Sequence, residues 1–290
     1  MRVALIVNPR AGRCTGRRVA AIACRLLEEA GWEVAVETTS APGEGEALAR
    51  NAAAGCDLVV GVGGDGTLSE LLNGLLGSGV ACGLVPCGTG NDFARFVGIH
   101  ESAEMAARQI LGGRPVAIDM GRLSTPSRHF VNTVGVGFDA AVAGRINRRR
   151  RLTRGLAAYL PAVLHELAAN TFLPARVQVD ERVFEDEWLL VAVANGNAYG
   201  AGFKIAPKAA CDDGELDVVL VQRTGRLDVL RSLRLALRGQ HERHPKVRML
   251  RGRHVRIETE RRAPALVDGD LLAQTPLEID VAPGAGLLWK

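Results

Sequence analysis

Apolar positions follow two different patterns along the chain. Up to about residue 122, short apolar runs alternate with stretches whose apolar residues recur at helical spacing. Val3–Val7 reads as a strand. Thr15–Ala30 puts Val19, Ile22, Ala23, Leu26 and Leu27 on one helical face and stops at Gly31. Glu33–Glu37 is a second strand and Glu46–Ala54 a helix. Val59–Val62 is a third strand, followed by a helix over Leu68–Leu76 that Thr67 caps or opens. Val80–Val85 is a fourth strand, Asp92–Val97 and Ala103–Leu111 are helical, and Val116–Asp119 closes the series. Such alternation predicts a parallel sheet flanked by helices on both faces, with its ligand beyond the carboxyl ends of the strands.

After Leu123 the pattern changes. Ser124–Arg128 is a polar linker, and Phe130–Phe138 alternates with glycines. Strands are expected at Arg176–Phe184, Trp188–Ala194, Leu216–Val221, Val247–Leu250, Val255–Thr259 and Leu277–Val281, with helices at Leu156–Ala169 and Leu227–Leu237. Many short strands with turn signals predict a β-sandwich or open barrel. The expectation is therefore an α/β domain over residues 1–123 and a mostly β sandwich over 124–290, with the last strand returning to the first domain.

Three polar, glycine-rich segments fall at the carboxyl edge of the expected parallel sheet. They are Asn8-Pro9-Arg10-Ala11-Gly12, Gly63-Gly64-Asp65-Gly66-Thr67, and Pro86-Cys87-Gly88-Thr89-Gly90-Asn91-Asp92-Phe93-Ala94-Arg95. Glycines let backbone amides approach an anion, and a helix start favours negative charge, so strand, glycine turn and helix form a phosphate cradle. Asp65 is the odd member, because a carboxylate beside a phosphate needs a Mg²⁺ between them or a hydroxyl to bind. Its structural alternative is an Asx turn capping the helix at Leu68.

Composition narrows the class. With 47% hydrophobic and 23% charged residues the chain is a soluble globular protein, and 4% aromatics leave a core of Ala, Val and Leu. Net charge is only +4, yet Arg223–Arg262 carries 13 Lys and Arg against 4 Asp and Glu, which leaves the remainder net negative. One basic face is the reading. Arg148–Arg151 and Arg154 precede the apolar Leu156–Leu164, and Arg226, Arg231, Arg234 and Arg238 share a helix with Leu227, Leu230, Leu233 and Leu237. Basic residues beside an apolar face fit peripheral docking on an anionic membrane, or else a solvated helix face. Nucleic acid is not expected, because the basic runs lack interleaved aromatics. The six scattered cysteines read as reduced thiols of a cytoplasmic protein, neither disulfides nor a zinc site. Leu156–Leu164 is too short to span a bilayer and contains Pro161. His241 and His244 read as surface residues, with no Cys or third His to complete a metal site.

In this order, the three segments together with Tyr199-Gly200-Ala201-Gly202-Phe203, Pro207, Asp213-Gly214-Glu215-Leu216 and Asp268-Gly269-Asp270 resemble the diacylglycerol/sphingosine-type lipid kinases, in particular their bacterial soluble members. The likeness covers nearly the whole chain. It implies a two-domain kinase that uses ATP and Mg²⁺ to phosphorylate a lipid hydroxyl in a cleft between domains, with diacylglycerol the first substrate to test. It further implies that Asn8, Pro9, Arg10, Ala11, Gly12, Thr39, Gly63, Gly64, Asp65, Gly66, Thr67, Leu68, Ser69, Thr89 and Asn91 hold the nucleotide. Asp213 would be the side-chain ligand of a structural Mg²⁺, completed by the backbone carbonyls of Ala210 and Glu215. Asp270 would be the proton acceptor; the family usually has Glu there, and Asp268 competes for the role.

Alternatives stand beside these readings. Asp268-Gly269 alone makes a hairpin turn. Asp119 either joins a carboxylate–water–Mg²⁺ network or is a solvated strand end. Asp212-Asp213 before Gly214 is equally a turn into the next strand. Phe93 and Arg95 are expected to pack and cap the helix after Asn91-Asp92. At the level of function, an NAD kinase-like enzyme and a nucleotide- or lipid-binding protein without turnover remain alternatives, and a homodimer is open.

Overall fold

The computed structural model describes residues 1–148, 165–166, 172–200, 202–225, 228–229 and 235–290. Arg149–Arg151 and Arg154, the expected helix at 156–169 apart from two residues, Ala201, and Arg226, Leu227, Leu230, Arg231, Leu233 and Arg234 lie outside them. The chain divides into two compact units, Met1–Met120 with Pro283–Lys290, and Gly121–Ala282.

In the first unit, strands β1 (Arg2–Val7), β2 (Glu33–Thr38), β3 (Leu58–Gly63) and β4 (Ala81–Pro86) pair in parallel in the order β2-β1-β3-β4. Leu288 from the end of the chain pairs with Cys82 on the far side of β4. Helices α1 (Ala11–Cys14), α2 (Gly16–Glu29), α3 (Glu44–Ala52), α4 (Asp65–Leu75), α5 (Asp92–Phe96) and α6 (Ala103–Leu111) connect them. Strand β3 is buried along its whole length, because helices cover both faces. The chain moves from β1 outward to β2 and then back across β1 to β3. Right-handed crossovers therefore send α2 and α3 to opposite faces. The packing agrees: α2 sits against α6, and α3 against α4. The crevice outside β1 and β3 is thus the topological switch point, where open α/β sheets bind ligands. Thr67 is the third residue of α4, behind Gly64 at the cap position, so the helix opens two residues earlier than its apolar spacing predicts.

Strand β5 (Pro115–Leu123) leads into the second unit, where the strands of the described residues pair antiparallel. Its elements are β6 (Arg128–Phe130), β7 (Thr133–Gly137), α7 (Phe138–Arg148), β8 (Leu173–Val179), β9 (Arg182–Ala194), β10 (Leu216–Gln222), a 3₁₀ turn (His241–Arg243), β11 (Val247–Gly252), β12 (His254–Thr259), β13 (Pro264–Val267), β14 (Asp270–Gln274) and β15 (Leu277–Trp289). The strand expected to end at Phe184 instead turns at Asp180, which adopts φ +49°, and β9 runs unbroken through Glu185-Asp186-Glu187. That acidic run reads as a break but is held by the neighbours Arg176, Gln222 and Arg223.

Strand alternation along β9 and β10 feeds two cores. Trp188, Val191, Val193, Leu216, Val218 and Leu220 enter the sandwich core with β8, β12, β13 and β15. Leu190, Ala192, Ala194, Val219 and Val221 enter a second core with Val142 of α7, Ile205 and Val229. Both faces of these strands are buried, which explains their continuous apolar runs. Trp188 is 1% exposed and its indole N–H donates to Ala175 O at 3.0 Å. Trp188→Ala is expected to cost about 3–5 kcal/mol, and Trp188→Phe, which loses chiefly the hydrogen bond, about 1 kcal/mol. Urea unfolding of the purified protein measures both.

Candidate functional site

Register puts the glycine-rich loops on one edge of the first unit. Val7, Thr38, Val62 and Pro86 lie at the carboxyl ends of neighbouring strands. The loops that follow them approach backbone to backbone. A Cβ on Gly12, which has φ +53°, would fall 1.9 Å from Cys87 O. A Cβ on Gly88 would fall 2.7 Å from Gly64 Cα. No side chain fits at either contact, so the three loops form one backbone-lined cradle. Hydrogen bonds fasten it. Asn8 N–H donates to Val62 O at 2.9 Å, Cys87 N–H to Gly63 O at 2.7 Å, and the Asn8 side-chain amide to Thr67 Oγ1 at 3.3 Å. Asn8 Oδ1 in turn accepts Arg10 N–H. Pro9 and Ala11 are half-buried beside the exposed Arg10. Thr39, at the end of β2, directs both its N–H and its hydroxyl at Val7 O.

Within α4 the first intrahelical donor is Leu68 N–H, to Gly64 O. The first-turn amides of Asp65, Gly66 and Thr67 therefore have no helical carbonyl to use, the arrangement that binds phosphate. Leu68 and Ser69 are buried behind them, and Thr89 is exposed at the loop surface. Asn91 adopts a left-handed conformation at φ +51°; its amide N–H₂ donates to Gly88 O, while its Oδ1 is buried without a partner. That orphaned acceptor suits a hydroxyl or amino donor of a bound nucleotide.

Asp65 departs from its expected surroundings. Its carboxylate accepts the N–H groups of Asp92 at 2.8 Å, Phe93 at 3.2 Å and Ala94 at 3.4 Å. It caps α5, neither its own helix nor an Asx turn, and so welds the second loop to the third. Burial raises its pKa against the pull of these amides. Phe93 is buried, and Arg95 pairs with Asp92 and Glu101, each at 2.6 Å. Asp119 corrects the idea of a solvated strand end: it lies inside β5, is 4% exposed, and accepts Gly284 N–H at 2.8 Å.

In the second unit Asp268-Gly269 forms the two-residue turn between β13 and β14, with φ +47° and +94°. The Asp268 carboxylate accepts the N–H groups of Val131, Asn132 and Thr133 at 2.9, 2.9 and 3.2 Å. Those bonds make it a structural clamp between the turn and the segment leading into β7. Asp270 follows at the start of the edge strand β14 and is exposed.

Asp213 is engaged differently from a metal ligand. Its carboxylate meets the Arg251 guanidinium and accepts Glu215 N–H at 3.2 Å, and Arg251 also reaches Glu215 Oε2 at 3.2 Å. A Mg²⁺ bound to Asp213 and to the carbonyls of Ala210 and Glu215 would have to displace that cation. Among the described residues no three His, Cys, Asp or Glu side chains cluster to hold a metal.

Part of the basic surplus is likewise paired, Arg223 with Glu187 and Arg256 with Glu258, each at 2.7 Å. No helix among the described residues is long and apolar enough to cross a membrane. All six cysteines are free.

Two residues escape the sequence reading. Asp139, at the start of α7, is 6% exposed and bonds Ala140 N–H and the Tyr199 hydroxyl. Its position directly after a strand and before a helical run is the available signal. His241 is not a surface residue: it is 3% exposed and its Nε2 lies 2.9 Å from Ile205 O. Both line a pocket of about 70 Å³ walled by Phe138, Leu190, Tyr199 and Phe203.

Residues 2–123 match the diacylglycerol kinase catalytic domain, and residues 132–288 match the YegS C-terminal NAD kinase beta sandwich-like domain. A diacylglycerol kinase of Mycobacterium tuberculosis is 32% identical, over 98% of this chain and 93% of its own. One of Bacillus subtilis is 28% identical, over 96% and 92%. A crystal structure described as a diacylglycerol kinase from Bacillus anthracis superposes with a TM-score of 0.76 at 25% identity, covering 99% of this chain and 96% of that one. Another from the same organism reaches 0.83 at 27% identity, covering 99% and 94%.

Burial pushes the Asp139 carboxyl up to about 7, from an ordinary value near 4. Between those two values the folded chain holds a proton that the unfolded chain has released, so stability falls as pH rises through that window. The loss is on the order of 4 kcal/mol. Asp139→Asn lacks this loss, and its stability relative to the parent should climb from pH 4.5 to pH 8 in urea titrations. A pH-independent difference would contradict the assignment.

Proposed function

We propose, from the premise that this chain belongs to the diacylglycerol kinase family and is a lipid kinase, that it transfers the γ-phosphoryl group of ATP to a lipid hydroxyl, with diacylglycerol the first acceptor to test. One observation carries the donor assignment: three loops at the sheet's carboxyl edge meet with no room for side chains, beside helix amides that lack helical partners. Phosphoryl transfer needs positioning and charge neutralisation more than covalent chemistry. Mg²⁺ enters as part of the donor, MgATP. The amides of Asp65, Gly66 and Thr67 take the phosphates, and Asn91 Oδ1 accepts a donor of the nucleoside. Asp65 acts as a positioning residue, because its bonds to Asp92, Phe93 and Ala94 fix the loop that completes the cradle.

Asp270 takes the proton of the lipid hydroxyl as that oxygen attacks the γ-phosphorus. The new O–P bond forms as the bond to the bridging oxygen breaks, leaving ADP and a phosphate ester. Asp270 suits the task because it is exposed, whereas Asp268 beside it already accepts three backbone amides. The lipid acceptor places the reaction at an anionic membrane surface, with the basic surplus of Arg223–Arg262 as the attracting face.

Incubating the protein with γ-labelled ATP and a total lipid extract tests the proposal. A labelled phospholipid is expected, and labelled NADP from added NAD is not. Asp270→Asn should lower kcat by about 10²–10⁴-fold, the usual range for losing a general base, with unchanged thermal stability. Asp65→Ala should lower activity and also cost about 1–3 kcal/mol of stability, since it strands three amides. Full activity in Asp270→Asn would remove it as the proton acceptor.

A further inference from the structure

The hairpin that carries Asp270 is gripped at its tip by one neighbouring segment, and two buried asparagines hold that segment in turn. Among the described strands β14 pairs only with β13, so it is an edge, and edges fray unless they are tied. The tie is Asp268. Its carboxylate accepts the amides of Val131, Asn132 and Thr133, and its own N–H donates to Thr133 O at 2.9 Å. Val131-Asn132 is the bend between β6 and β7 and lies outside both strands. What fixes it is the end of β9. Asn195 and Gly196 donate their N–H groups to Asn132 O at 2.8 and 3.0 Å. The Asn195 side chain donates to Val131 O at 2.8 Å, and the Asn132 side chain to Ala198 O at 2.9 Å. A carbonyl only accepts, so in both contacts the amide nitrogen faces it. The exchange is reciprocal, each side chain binding the other's segment. Asn132 is 6% exposed and Asn195 1%.

Register sets Asp270, Val267, Val134 and Val193 side by side on β14, β13, β7 and β9. Three strand spacings, about 15 Å, therefore separate the end of β9 from Asp270. The asparagines reach it only through the backbone. We infer that Asn132 and Asn195 are positioning residues for the proton acceptor: they fix the bend that Asp268 grips, and so set where the Asp270 carboxylate stands. The inference rests on the reading of Asp270 as proton acceptor and adds the residues on which that acceptor depends. The aspartate side chain is short, so an error in backbone placement passes directly to its carboxylate. A misplacement of about 1 Å costs on the order of 10²-fold in rate.

A double-mutant cycle on the full chain tests this. Asn132→Ala and Asn195→Ala are made alone and together with Asp270→Asn, and assayed with γ-labelled ATP and a total lipid extract below the onset of unfolding. Each alone should lower the rate at saturating substrate about tenfold or more, with KM for ATP within about twofold of the parent. In the Asp270→Asn background each should lower it by less than about twofold, because a group that acts through Asp270 has nothing left to position. A purely structural role would lower both backgrounds by the same factor, and that result overturns the inference, as does a parental rate in the single variants. Amide hydrogen exchange gives a readout independent of turnover, with Asn132→Ser and Asn195→Ser replacing an alanine variant that does not fold. The hairpin 264–274 should exchange about tenfold faster, the usual effect of one lost buried hydrogen bond, while β12 keeps its parental rate. Parental protection of the hairpin overturns the inference. Low activity in Asp270→Asn with multiplying losses removes the asparagine assignment alone. Full activity in Asp270→Asn, or no labelled lipid from the parent chain, removes the proton-acceptor reading and the inference with it.

Discussion

The three hydrogen bonds from Asp92, Phe93 and Ala94 to the Asp65 carboxylate are the constraint on which the glycine-rich edge of the first unit depends. A parallel sheet delivers loops to one edge, but it does not hold them in contact. Here a carboxylate at the start of α4 caps α5, whose short length gives it little stability of its own. The negative charge compensates the positive end of α5, and the glycines at 64 and 88 let the two backbones touch. The same side chain is half-buried, and its desolvation shows as a raised pKa. A residue expected to meet phosphates through a metal spends its carboxylate on the backbone of the loop beside it.

The second unit repeats the device. Asp268 binds three consecutive amides at the entrance to β7 and locks the β13–β14 turn, so that Asp270 leaves the turn from a fixed backbone. Two neighbouring aspartates thus differ: one is bound by three amides, and the other, the proposed proton acceptor, is exposed. Arg251 plays the matching part on the basic side, meeting Asp213 and Glu215 where the family resemblance implies a divalent cation. The double burial of β9 and β10 leaves a separate apolar core around α7, and in its wall lie Asp139 and His241.

What is legible in the sequence is local. Periodicity locates the strands and helices of the first unit, and the glycine segments mark the loops that the register brings to one edge. What stays hidden is long-range. Asp65 finds partners 27 to 29 residues away, and Asp268 finds them about 136 residues away, distances over which no pattern in one sequence gives pairing. The full length of β9 escapes periodicity because its acidic stretch is neutralised by side chains from other strands. The burial of His241 is equally hidden, because it depends on a carbonyl, that of Ile205, which tertiary structure brings to it. The glycine-rich loops are legible because glycine requirements are local; the pocket in the second unit is not, because apolar walls use generic residues.

Belonging to the diacylglycerol kinase family fixes the class of reaction, and a cradle of backbone amides is the physical means proposed for holding its phosphate donor. Amide hydrogen exchange with and without ATP tests that cradle most directly. ATP should slow exchange in the segments 8–12, 64–67 and 88–91 together, with the start of α4 among the most protected. Protection confined to other parts of the chain, or none at saturating ATP, would contradict it.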